Sequence, residues 1–180
     1  MNSLPKALLL LAPLIMGCFT HHTWVNYDQD EPMRVVQFEE VKPQEHCFQA
    51  ASGLEVYTNG TATCPPIQLL NEAENELENR LLPVTDLLPS PAGAKVIFIG
   101  SFVNCGVATA GCTRGWTMVV STHGMQSLGI KAGPRDTFQH ELGHELRFLK
   151  HLDPDPEHTD CKWWSAVNPQ IKWPSCKGNL

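Results

Sequence analysis

Six cysteines in three near-neighbour pairs constrain this chain more than any other feature. They are Cys47 and Cys64, Cys105 and Cys112, and Cys161 and Cys176. A seventh, Cys18, stands apart near the N-terminus. An even set at short spacings points to an oxidising compartment, where disulfides persist. Local order favours the three sequential bridges, each closing a short loop. A zinc site built from thiolates would need C-x-x-C pairs, and the chain has none.

At 180 residues the chain has room for one domain and a tail. Hydrophobic residues make up 42% and charged residues 18%, a globular balance rather than a disordered one. Net charge is −6, and no run of lysine and arginine interleaves with aromatics. No nucleic-acid partner is expected.

Lys6 precedes a short apolar stretch over 7–16, followed by Gly17-Cys18. A membrane-spanning helix needs about 20 apolar residues, so the stretch reads as an export signal. Leu14-Ile15-Met16-Gly17-Cys18 resembles the bacterial lipobox, with an aliphatic residue three before the cysteine and a small one directly before it. The resemblance implies cleavage before Cys18, lipidation of its thiol and attachment to the cell envelope facing the periplasm or exterior. By resemblance to lipoprotein sorting patterns, Phe19 in place of aspartate implies the outer membrane of a Gram-negative cell. The organisation expected is a signal peptide over 1–17, a tether over 18–33 and one domain over 34–180. Membrane contact is expected through the lipid anchor only.

Within the domain, 34–38 has strand-like residues and Thr58-Asn59-Gly60-Thr61 marks a turn. Leu69, Leu70, Ala73, Leu77 and Leu81 recur at helical spacing, predicting a helix over 67–82 with a glutamate-rich solvated face. Pro83 ends it. The apolar run 95–100 predicts a buried central strand, and 116–122 a second strand. Gly133-Pro134 opens another helix. Together these elements predict an α+β domain: a mixed, twisted sheet, an active-site helix and a backing helix, stabilised by disulfides.

The chemistry concentrates in His140-Glu141-Leu142-Gly143-His144. On a helix, His140 and His144 project from one face about 6 Å apart along the axis, a spacing at which two imidazoles share one zinc ion. Glu141 lies off that line, where its carboxylate reaches a zinc-activated water as general base. At 100° per residue, Phe138, Leu142, Leu146 and Leu149 form one apolar stripe opposite the histidines. The stripe anchors the helix and leaves the imidazoles facing a cleft.

A third ligand must follow. His151 comes first, then His158, then a carboxylate among Asp153, Asp155 and Glu157. On an unbroken helix His151 would stand about 10 Å beyond His144. Its use therefore requires the helix to stop near Arg147 or Phe148 and the chain to double back.

The segment 140–151 resembles the metzincin clan of zinc proteases, whose pattern is H-E-x-x-H-x-x-G-x-x-H. The resemblance implies a small zincin-like fold, a Zn2+ cofactor, a protein or peptide substrate, His140 and His144 as ligands and Glu141 as base. It also matches 116–122 to the edge strand that pairs with substrate, and 158–169 to the tight turn beneath the metal. Three departures stand out. Arg147 occupies the glycine position and His151 comes one residue late, and no methionine follows Met125. Trp163 or Trp164 is expected to fill the missing methionine's volume.

The function implied is a zinc-dependent endopeptidase acting outside the cytoplasm. The alternative is a non-catalytic, lipid-anchored binding protein on the same scaffold. His123 and Glu145 are expected to be solvated side chains, and Trp163, Trp164 and Trp173 to be core.

Overall fold

Alternation within two apolar runs builds the centre of the molecule. In the computed structural model, which describes residues 34–123, 125–127 and 130–176, ten strands and three helices form. The strands are β1 (Val35–Gln37), β2 (Glu45–Gln49), β3 (Glu55–Thr58), β4 (Lys95–Ile99) and β5 (Phe102–Asn104). They continue as β6 (Ala108–Thr109), β7 (Gly111–Arg114), β8 (Thr117–Ser121), β9 (Met125–Ser127) and β10 (Ile130–Ala132). The helices are α1 (Ile67–Leu81), α2 (Pro134–Leu149) and α3 (Cys161–Val167). The expected signal, tether and lipidated Cys18 lie outside the described residues, among which no helix is long and apolar enough to cross a membrane.

The main sheet has the order β2-β3-β4-β8-β7. Strands β3, β4 and β8 are parallel, while β2 and β7 run antiparallel to their neighbours. Side chains alternate across a strand, so β4 sends Val96 and Phe98 to the helical face and Ile97 and Ile99 to the other. On β8, Met118 and Val120 face the helices and Val119 the opposite side. Both faces are covered, which explains why β4 reads as an uninterrupted apolar run.

The helices pack on one face. Leu70, Ala73, Leu77 and Leu81 of α1 and Phe138, Leu142 and Leu146 of α2 join Trp163, Trp164 and Val167 of α3 in the larger core. Arg80 ties the three together, donating to Gln139 Oε1 at 2.8 Å and to the Val167 carbonyl at 3.0 Å. On the other face, β1, β5 and β6 form a small second sheet beside Val41, Ile97, Ile99, Val103 and Val119. Gly133 and Pro134 start α2 as expected, with Asp136 accepting from the Gly133 amide at 2.9 Å.

All three sequential disulfides are present: Cys47–Cys64, Cys105–Cys112 and Cys161–Cys176. The α+β class, the mixed sheet and the two longer helices agree with expectation. Strand 116–122 does not lie at an edge. A tight turn at Gly115 and Trp116 folds β7 back against β8, which makes β7 the edge and puts β8 inside the sheet.

Candidate metal centre

Helix α2 lies beside β7 and β8 and carries His140 and His144 on successive turns. Their ring nitrogens approach closely, with His144 Nε2 3.2 Å from His140 Nε2. The third member of the group is His158, whose Nε2 is also 3.2 Å from His140 Nε2. These three partly buried histidines form a group able to hold a metal ion. Two ligands of a tetrahedral zinc, each about 2 Å from the ion, lie about 3.3 Å apart. The observed separations fit such an ion.

The opposite nitrogens of two rings are engaged. His140 Nδ1 is 3.1 Å from Asn168 Oδ1, and His144 Nδ1 is 2.8 Å from the Pro154 carbonyl. A carbonyl only accepts, so His144 carries its proton on Nδ1 and, when neutral, turns a lone pair on Nε2 toward its neighbours. Burial lowers the pKa of all three rings. For His140 the neighbouring His144 and His158 add to this, and Asn168 opposes it. His158 is pushed down to about 4, by burial first and His144 second. For His144 the hydrogen bond it donates to the Pro154 carbonyl works against burial. At neutral pH the group therefore presents lone pairs rather than protons.

His151 does not join the group. Helix α2 continues to Leu149 instead of stopping near Arg147 or Phe148. It ends when the His151 amide donates to Phe148 O at 2.9 Å and the Leu152 amide to Arg147 O at 3.0 Å. That is the Schellman pattern, and His151, at φ 57°, fills the left-handed position usually held by glycine. Its side chain is exposed and is not among the histidines that converge. Arg147, which stands where the clan has its glycine, stays helical. It reaches the return loop, donating to Asp153 O at 2.8 Å and to the Asp160 carboxylate at 2.7 Å.

Trp164 supplies the floor. Fully buried, its ring centroid lies 4.4 Å from His144, 4.5 Å from His158 and 5.1 Å from His140. Gly143 makes room for α3, since a Cβ there would meet Val167 at 3.0 Å and Trp164 at 3.3 Å. Trp163 points elsewhere, under the Arg147 guanidinium. Trp173 stacks on His158 at 4.4 Å, packs against the larger core and lines the cleft with its exposed part.

Glu141 borders the same cavity, of about 440 Å³, with the three histidines, Phe148 and Trp173. Thr113 Oγ1 on β7 donates to its carboxylate at 2.7 Å. Burial pushes its pKa up to about 8, partly offset by Thr113. The carboxylate sits where only a glycine leaves space: a Cβ on Gly111 would lie 2.6 Å from its Oε1. Because the Ser121 amide donates to Ala110 O, alternation along the β7–β8 pair turns the backbone groups of Gly111 and Thr113 toward the open edge beside the cleft. At one end of the cleft Trp116 and Phe148 meet edge to face at 6.2 Å.

Two further expectations change. Glu145 is fully buried, neither carboxylate oxygen has a hydrogen-bond partner among the described residues, and burial raises its pKa to about 7. His123 is half-buried, bonded to the Gly100 carbonyl at 3.0 Å and stacked on Phe102, not solvated. The carboxylate of Asp155 faces Thr159, Asp160 and Trp164. Comparisons with protein-family models, curated proteins and solved structures give no match.

Proposed function

We propose that this protein is a zinc-dependent endopeptidase of the zincin type, acting on proteins outside the cytoplasm from a lipid-anchored position in the cell envelope. The observation that carries this reading is the convergence of His140, His144 and His158 through Nε2, with Glu141 bordering the same cavity. Three imidazoles make a donor set suited to zinc, and three protein ligands leave a fourth position for chemistry. Three disulfides are consistent with an exported protein.

When bound, such an ion supplies Lewis acidity, acidifying water and polarising a peptide carbonyl. The chain's own residues would do the rest. Asn168 and the Pro154 carbonyl hold two of the imidazoles in the tautomer that keeps Nε2 free. The outward backbone groups of Gly111 and Thr113 would pair with an extended peptide laid along β7. Glu141 would accept a proton from the attacking water and deliver it to the departing amine nitrogen. Relative to the metzincin pattern, the third ligand is carried fourteen residues after His144 by a return loop, and Trp164 stands in for the methionine.

Glu141→Gln tests the reading. The variant should keep its metal and lose about 10²–10⁴-fold of its casein-degrading rate. Undiminished cleavage would remove Glu141 from the mechanism. One metal per chain with no chelator-sensitive cleavage by the wild-type protein would favour a binding module on this scaffold.

A further inference from the structure

The loop that returns from α2 contains a carboxylate that is only 6% exposed and has no ion-pair partner among the described residues; the nearby Arg147 pairs with Asp160 instead. This is Asp155. Its Oδ1 accepts from the Thr159 amide and the Thr159 hydroxyl, both at 2.8 Å. Its Oδ2 accepts from the Asp160 amide at 2.8 Å and from Trp164 Nε1 at 2.7 Å. Four donors occupy the acceptor capacity of a carboxylate, so none is left for a metal.

What those bonds hold is a strained turn. Asp155 and His158 both adopt left-handed backbone angles, φ 54° and 56°, which are strained for a residue with a Cβ. The His158 amide closes the turn on Asp155 O at 3.0 Å. Such a conformation persists only where its surroundings over-determine it. Burial works to raise the Asp155 pKa, but the bonds from Asp160, Thr159 and Trp164 outweigh it and hold the carboxylate well below its usual range. It is therefore a fixed anion, tied at one end to the residues after His158 and at the other to the tryptophan beneath all three imidazoles.

We infer that Asp155 is a positioning residue of the metal centre: by joining Thr159, Asp160 and Trp164 it holds the turn that aims His158 Nε2 at His140 and His144. The inference rests on the assignment of those histidines as metal ligands. Asn in its place would offer one acceptor and one donor to four donors. The turn would lose half its ties, and the third imidazole would leave the group more readily.

Titration of Co2+ into the metal-free protein, following both affinity and the ligand-field spectrum, tests this. Asp155→Asn should weaken binding about 10–100-fold, the range expected for a partner that orients a ligand. A structural role alone would also lower affinity, so a double-mutant cycle with His158→Ala decides between them. If Asp155 acts through His158, Asp155→Asn should change nothing further in the His158→Ala background. Trp164→Phe keeps an aromatic ring at the floor and removes the one donor to Asp155; it should shift affinity in the same direction by less, and it serves if Asp155→Asn folds poorly. Wild-type affinity in both Asp155→Asn and Trp164→Phe, or an undiminished loss in the His158→Ala background, overturns the inference. Failure of the wild-type protein to take up Co2+ overturns the metal assignment itself, and this inference with it.

Discussion

His151 and His158 have nearly the same backbone conformation, φ 57° and 56°, yet only one joins the candidate metal centre. At His151 the left-handed residue closes a helix: the amides around it satisfy the last α2 carbonyls, and its side chain is left exposed. At His158 the left-handed residue turns a loop whose backbone is tied on both sides. Asp155 O takes its amide, Ser175 Oγ donates to its carbonyl at 2.6 Å, and its ring packs against both Trp164 and Trp173. Local conformation does not make a ligand. The surrounding bonds do, by spending the strain on aiming a ring rather than on ending a helix.

The largest expected contrast is in metal retention. His158→Ala should lose more metal affinity than the 10–100-fold typical of an outer partner, whereas His151→Ala should bind as wild type does. Equal losses in the two variants would erase the distinction. Next comes the covalent support of the return loop. Replacing Cys161 and Cys176 by serine opens a loop of sequence separation 15 and should cost about 3 kcal/mol of stability in denaturant unfolding. The same change should weaken metal binding, because Ser175 and Cys176 lie against His158.

Proton linkage supplies a third test. In the metal-free protein burial holds the folded His158 ring down to a pKa of about 4, against the usual 6.5. Between those values the unfolded chain takes up a proton that the folded ring refuses. Wild type should therefore lose stability relative to His158→Gln as pH falls from about 6.5 to 4, and an opposite slope would contradict the burial of that ring. Glu145 behaves with the reverse sign, because its folded pKa is raised to about 7 from 4.5. Its contribution is fully present below pH 4.5 and is lost as pH rises through 7, so Glu145→Gln should be the more stable protein at pH 8, by about 1–3 kcal/mol if its unpartnered oxygens dominate. The smallest effect belongs to the helix end. His151→Gly should gain about 1 kcal/mol in unfolding free energy without altering metal affinity.

Much of this arrangement is legible in the residues, and the remainder has identifiable reasons for being hidden. The cysteine pairs, β4, α1 and the start of α2 follow from local spacing and turn chemistry. His140 and His144 are readable because four residues on a helix fix their relation whatever surrounds it. His158 is not readable in that way. Its position depends on α2 running on to Leu149, on two left-handed residues that are not glycine, and on Asp155, none of which has a periodic signature. The edge strand β7 escapes notice because Gly-Cys-Thr-Arg has no apolar alternation. Glu145, by contrast, is placed by arithmetic: seven residues after Phe138, it falls within about 20° of the apolar stripe, and only its charge points to solvent. Trp164 was legible as one of two candidates, and the packing of α3 at Gly143 selects it.

The most direct measurement is zinc K-edge absorption on the purified, zinc-loaded protein, in the wild-type form and in His158→Ala. Three imidazole nitrogens at about 2.0–2.1 Å in the wild type, with one fewer in the variant, are the predicted result. A protein that takes up no zinc, or a coordination shell unchanged by loss of His158, would contradict the account.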